Sequence, residues 1–201
     1  MEKLRLTELE IEEIVKAFVE QEIEPPQKGE LHYFSKIQAS SYIRSYLKAN
    51  QNGNYIYGLE GREAFAILRR ENETLRFFDI LRMIYNSYRT LGYTLLHRLQ
   101  KLESNGELAL EERYAIQKKK FIFVGMVVVK EEFQRKGYFR KLMEEIFEMA
   151  REENRMVVLN TDTNEKCQKY QHLGFQLKKS RVLEENNVRY DLDWSPETLQ
   201  K

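Results

Sequence analysis

Chemistry concentrates in this sequence where an apolar run ending at Val129 meets a helical pattern beginning near Phe139. Between Lys118 and Lys141, eight cations (Lys118, Lys119, Lys120, Lys130, Arg135, Lys136, Arg140, Lys141) stand against two acids (Glu131, Glu132). That is +6 in 24 residues of a chain whose formal charge is +1. Local charge of this kind wants an anion. Part of it, Gln134-Arg135-Lys136-Gly137-Tyr138-Phe139, runs directly into a helix N-terminus, where unsatisfied N–H groups and the helix dipole favour phosphate. Gly137 lets the backbone approach such a ligand closely. From these residues alone two readings stand, a solvated turn and a phosphate site. Downstream, Cys167 lies three residues before Tyr170 on one helix face. A ping-pong nucleophile can be drawn there, but a small buried thiol is the commoner state of a lone cysteine. Tyr170 is one of twelve tyrosines, most of which serve a core. His32, His97 and His172 lack the spacing of metal ligands, and no metal is expected.

Several elements must position these residues. Thr7 with Glu10 makes a capping box, with Leu6 and Ile11 at the staple positions; Ile11, Ile14, Val15, Phe18 and Val19 form one helical stripe, stopped by Pro25-Pro26. The other face carries Glu8, Glu10, Glu12, Glu13, Glu20, Glu22 and Glu24 and reads as solvated. Ser35 with Gln38 repeats the device before Ala39, Tyr42, Ile43, Tyr46 and Leu47, a helix ending near Asn50. Residues 55–59 and 64–69 around Glu60-Gly61-Arg62 read as a hairpin. Helical spacing from Leu75 to Glu103, with a break at Gly92 and a stop at Asn105-Gly106, reads as two helices. Phe121 to Val129 is a central strand buried on both faces. Leu142, Met143, Ile146, Phe147 and Ala150 then continue a stripe from Phe139, and Met156 to Asn160 is a second short strand parallel to the first. A short helix, Glu165 to His172, ends at Gly174. Residues 175–183 and 188–194 close the chain as a hairpin around Glu185-Asn186-Asn187.

The pattern Val129-x-x-x-Phe133-Gln134-x-x-Gly137 resembles the acyl-CoA motif of the GNAT superfamily of N-acetyltransferases, Q/R-x-x-G-x-G/A. The string Asn164 to Phe175, an Asn and then Tyr170 four residues before Gly174-Phe175, resembles the family's second motif. The resemblance is specific over about Phe121 to Phe175. It departs at Phe139, which stands where the motif has Gly or Ala. It implies an α/β fold of the GNAT-like acyl-CoA N-acyltransferase type, a mixed, mostly antiparallel sheet whose central pair of parallel strands splays apart to admit acetyl-CoA. It further implies that the backbone of Val127 and Val129 pairs with the pantetheine arm. Thioester aminolysis needs an oxyanion donor, for which the N–H of Val127 or Val128 serves, and a proton for the departing thiolate. The amides of Arg135, Lys136, Gly137, Tyr138, Phe139 and Arg140 would hold the pyrophosphate, and Gln134 and Val128 are counted with the cofactor-binding residues. Tyr170 matches the family's general acid and Asn164 a residue that contacts the cofactor. The central strand offers no carboxylate, which leaves Asp162, Glu132 or a water chain as the base.

Composition bounds the rest. With 42% hydrophobic residues, 201 positions suit one α/β domain: residues 1–116 a variable N-terminal half, 117–180 an acyl-CoA-binding core and 181–201 a closing hairpin and tail. Nine Gly and three Pro are roughly half the usual share of about 12%, which excludes linker-like and collagen-like chains. One Cys fits a reducing, cytoplasmic setting, and the acidic N-terminus and short apolar runs argue against secretion and membrane insertion. The expected activity is acetyl transfer from acetyl-CoA to a primary amine, on a small molecule or peptide, by direct attack on the thioester. The alternatives are a non-catalytic CoA-binding or regulatory module of the same fold and, against the near-neutral total charge, a nucleic-acid binder. No nucleic acid or membrane partner is expected, and the resemblance admits a homodimer.

Overall fold

The computed structural model describes residues 1–23, 35–103, 107–184 and 187–196. One seven-stranded sheet runs through them: β1 (Glu2–Lys3), β2 (Ile56–Gly58), β3 (Ala64–Arg70), β4 (Phe121–Val129), β5 (Met156–Thr161), β6 (Gln176–Glu184) and β7 (Asn187–Trp194), in the order β1-β2-β3-β4-β5-β7-β6. Each neighbouring pair is antiparallel except β4 and β5, which are parallel. β4 lies in the middle of the sheet with helices over both of its faces, which is why its sequence is apolar on both.

The central pair does splay. β4 pairs with β3 along its whole length, from Ile122↔Arg70 to Val129↔Ala64. It meets β5 only at Phe121↔Met156, Ile122↔Val157 and Phe123↔Val158. From Val124 onward β4 has no β5 rung, while Leu159 to Thr161 of β5 pair with β7 alone. The register against β3 shifts between Met126↔Ile67 and Val124↔Leu68, leaving Gly125 as the extra residue of a bulge. A bulge bends its strand and sharpens the twist, here at the point where the two strands part.

Helices cover both faces. On one, α5 (Tyr138–Glu152) buries Leu142, Met143, Ile146, Phe147 and Ala150 against Ile122, Val124, Val157, Leu159 and Leu192, and α6 (Asn164–His172) adds Cys167. On the other, α1 (Glu8–Ile23) and α2 (Lys36–Asn52) pack Ile14, Val15, Ile43 and Leu47 onto Phe65, Ile67, Met126 and Val128. α4 (Leu110–Ile116) lies on this second face, with Leu110 and Tyr114 against Phe121 and Val158. α3 (Phe77–Glu103) packs on α2 and breaks at Gly92, whose φ of 73° and ψ of 166° are not helical.

Both capping boxes form: Thr7 N donates to Glu10 Oε2 (2.9 Å) and Glu10 N to Thr7 Oγ1 (3.2 Å), and Ser35 and Gln38 exchange the same pair of bonds. α2 runs two residues past its expected end at Asn50, α4 has no counterpart among the sequence expectations, and Asn187 opens β7 instead of sitting in the turn. Glu10 is not part of a solvated face. It is buried, and Arg62 donates to both of its oxygens (2.7 and 2.6 Å), holding the carboxyl down at about 2. The expected stops at Pro25-Pro26 and Asn105-Gly106, the turn residues Glu185-Asn186, and His32 lie outside the described residues, as does the side chain of His97.

Candidate active site

The chain leaves β4 through a 3-10 turn (Glu131–Phe133), and Gln134 Nε2 reaches back to donate to the carbonyl of Val129 (3.3 Å). Arg135 (φ 60°) and Gly137 (φ 85°) are both left-handed, a backbone arrangement of the kind that gathers N–H groups into an anion-binding concavity. A Cβ on Gly137 would meet nothing within 4 Å, so glycine is required there by its φ and not by crowding. Gly137 is the N-cap of α5 and has no side chain to cap with. The first helical bond is Lys141 N to Gly137 O (3.0 Å), so the N–H groups of Tyr138, Phe139 and Arg140 have no acceptor within the helix. The first turn has no acid and carries Arg140 and Lys141, cations on the positive end of the helix dipole.

The cationic run is not one patch. Lys118 to Lys120 precede β4 and Arg135 to Lys141 follow it, so the nine residues of the strand hold them about 30 Å apart. Lys119 lies over the Tyr114 ring (4.0 Å), and Lys130 is tied to α1 through Glu10 (3.7 Å) and Glu13 (3.6 Å). What remains at the start of α5 is Arg135, Lys136, Arg140 and Lys141.

α6 begins in the opposite manner. Thr163 Oγ1 accepts from Lys166 N (3.2 Å), Glu165 occupies the first turn, and Lys166 pairs with Asp162 (3.0 Å). Asn164 is exposed at the helix start. Tyr170 is half-buried, its ring edge-on to Phe139 (5.7 Å) and to Phe175 (5.5 Å). Phe139, the departure from the motif, is thus what Tyr170 packs on. Val127, Val129, Tyr138, Phe139 and Tyr170 all border one core cluster, on the face of the sheet covered by α5 and α6, while the Val128 side chain points to the other face. Cys167 is buried, burial pushes its thiol up, and Sγ faces Gln171 Oε1 (3.8 Å), which suits packing and not nucleophilic attack. Asp162 is held by Lys166 and Glu132 is exposed on the 3-10 turn.

The opposite face of the splay is polar. Asn160, two residues beyond the last β4–β5 rung, accepts from Arg189 Nη1 (3.0 Å) and donates to Glu111 Oε1 of α4 (3.4 Å). Tyr46 of α2 sits over the Gly125 bulge, its hydroxyl 2.5 Å from where a Cβ there would lie. Burial raises the Tyr46 pKa, the charge of Arg69 and then Asn50 oppose that rise, and the charge of Glu111 adds to it. Glu111 is itself raised, first by burial and then by Asp191 and Glu112. Nothing in the sequence pairs Glu111 with Asn160; only the path of α4 does so.

Residues 100–177 match the family model described as Acetyltransferase (GNAT) domain, which spans β4, α5, β5 and α6. No curated protein matches the sequence. Solved structures share the fold at low identity. One is described as histone acetyltransferase HPA2 and related acetyltransferase, from Corynebacterium glutamicum (14% identity, covering 96% of this chain and 94% of that one, TM-score 0.58). Another is an N-acetyltransferase from Staphylococcus aureus (15%, 92% and 96%, TM-score 0.54). A third is a polyamine N-acetyltransferase from Drosophila melanogaster (12%, 96% and 98%, TM-score 0.53).

Proposed function

We propose that this chain, which carries a GNAT acetyltransferase domain over residues 100–177, moves an acetyl group from acetyl-CoA to a primary amine of a small molecule or peptide. The observation that carries the reading is the start of α5: an uncapped helix end and first-turn cations, both relieved by one anion, after two left-handed residues that gather N–H groups toward it. In this reading the amides of Tyr138, Phe139 and Arg140, with Arg135 and Lys136, hold the pyrophosphate. The open edge of β4 at Val127 and Val129 takes the pantetheine arm, and the N–H of Val127 or Val128 faces the thioester oxygen. Asn164 contacts the cofactor from the start of α6. Tyr170, fixed between Phe139 and Phe175, gives its proton to the departing sulfur. The whole chain acts as one domain, since the sheet that forms the splay also takes in β1 to β3 and β6 to β7. The free, buried Cys167 is compatible with a reducing cytoplasm, and among the described residues no helix is long and apolar enough to cross a membrane.

The test is acetyl-CoA-dependent release of free thiol over a panel of polyamines, arylalkylamines and amino-terminal peptides, with the acetylated product identified by mass. Turnover of any of them supports the reading; binding of acetyl-CoA without turnover across the panel favours a non-catalytic CoA-binding module.

A further inference from the structure

We propose that Glu111 is the catalytic base of this site, taking the proton of the acceptor amine, and that Tyr46, Arg69 and Asn160 form the wall against which that amine binds. The proposal rests on the acetyltransferase reading above. Position carries it first. Acyl donor and acceptor must meet where β4 and β5 part, and the phosphate-holding loop is on the face covered by α5. Glu111 comes from α4 on the other face and reaches Asn160, which lies past the last rung Phe123↔Val158. Tyr46 stands across the gap on the Gly125 bulge.

Bonding carries it next. Glu111 Oε2 is buried and has no hydrogen-bond partner among the described residues, and Oε1 has only the long contact to Asn160. Arg69 Nε is likewise buried without a partner. An acceptor oxygen and a donor nitrogen therefore stand unsatisfied on the same face of the splay, where native chains rarely leave either. Nearby cations are otherwise engaged: Arg181 binds Asp191 through two bonds (3.0 and 2.9 Å), Arg113 approaches the same carboxylate (3.5 Å), and Arg189 goes to Asn160. Among the described residues Glu111 is in no salt bridge. Burial first, then the charges of Asp191 and Glu112, raise the Glu111 carboxyl against the opposing pull of its own backbone N–H and Arg181, the direction that makes a carboxylate a better proton acceptor.

In the step itself the neutral amine nitrogen attacks the thioester carbon, the N–C bond forms and the C–S bond breaks, the electron pair leaving on sulfur. The N–H proton passes to Glu111 Oε2 and the thiolate takes the Tyr170 proton. Loss of a proton from Glu111 to solvent and uptake of one by Tyr170 restore both groups, so that amine and acetyl-CoA give amide and free thiol.

The test uses the full chain with acetyl-CoA and three probe amines: spermidine, 2-phenylethylamine and an alanyl peptide. For the amine that wild type acetylates fastest, Glu111→Gln lowers kcat/KM by about 10²-fold or more while acetyl-CoA affinity changes less than about twofold. The wild-type pH profile rises as Glu111 deprotonates, and that limb disappears in Glu111→Gln. The groups around Glu111 are Tyr46 on α2, Asn160 on β5, Arg181 on β6, Asp191 on β7 and Glu112 on its own helix, with Arg69 beside Tyr46, Arg189 on Asn160 and Arg113 beside Asp191. Burial raises Tyr46 away from the acidic range, so the acidic limb is assigned to Glu111 by its loss in the variant. Glu111→Asp, should the amide variant unfold, keeps the acidic limb at a lower rate. Wild-type rates and an unchanged pH profile in folded Glu111→Gln overturn the role of Glu111 alone. Acetyl-CoA binding by wild type with no turnover of any probe overturns the acetyltransferase reading and Glu111 with it.

Discussion

Two helix starts border the proposed site, and they are built to opposite rules. α6 is complete within the chain: Thr163 caps it, Glu165 complements its dipole at the start, and Lys169 and His172 do so at the end. α5 is longer and better packed, yet its first turn has no cap and carries two cations. A helix that holds a side chain in place is finished by its own residues, as α6 is for Tyr170. A helix start left with open N–H groups suits an anion, and α5 is such a start. In the proposed function the difference separates two jobs, donation of a proton from α6 and binding of the diphosphate at α5.

The largest effect should come from the α6 side. Tyr170→Phe keeps the ring between Phe139 and Phe175 and deletes the hydroxyl, so kcat should fall by about 10² to 10⁴ with acetyl-CoA affinity nearly unchanged. A wild-type single-turnover rate would return Tyr170 to a packing role. On the α5 side, Gly137→Val forces a β-branched residue to φ 85° where nothing crowds it. CoA affinity should fall well over tenfold, more than about 1.4 kcal/mol, in a folded protein. Unchanged affinity would remove the loop from the site.

Two smaller effects sharpen the contrast by their signs. Thr163→Ala removes the α6 cap and should cost about 1 kcal/mol of stability in denaturant unfolding, with CoA affinity kept. Arg140→Glu puts an acid on the open end of α5, so the thermal midpoint should rise, by about 0.3–1 kcal/mol in stability, while CoA affinity falls. Loss of both stability and affinity in Arg140→Glu would mean that the cation supports the fold. Smallest is Lys136→Ala, which removes charge but no backbone amide; its weakening of CoA binding should shrink as salt rises.

Much of this was legible in the sequence because it is local. The capping boxes at Thr7 and Ser35, the nine-residue run of β4 and the stripe of α5 are each set by neighbours within a few residues, and all are present. The loop before α5 was legible for the same reason. What depends on the path of the chain was not. The run from Lys118 to Lys141 looks like one patch only until a strand about 30 Å long is drawn through it. Glu10 looks like one of many exposed acids until Arg62, fifty-two residues away, binds it. The bulge at Gly125 leaves no sign in an apolar run beyond the glycine, because a bulge is a relation between two strands. α4, seven residues long with three charged residues in its first four, is too short for a periodic signal, and Glu111 has no motif of its own to mark it.

The central claim is that the open end of α5 holds the diphosphate of CoA. Calorimetry of the same protein with CoA and with pantetheine, which has the thiol arm but no phosphate, tests it most directly. The account predicts that CoA binds at one site at least tenfold tighter than pantetheine, by more than about 1.4 kcal/mol, and that Gly137→Val erases most of the difference. Equal affinity for the two ligands, or no binding of CoA, would contradict it.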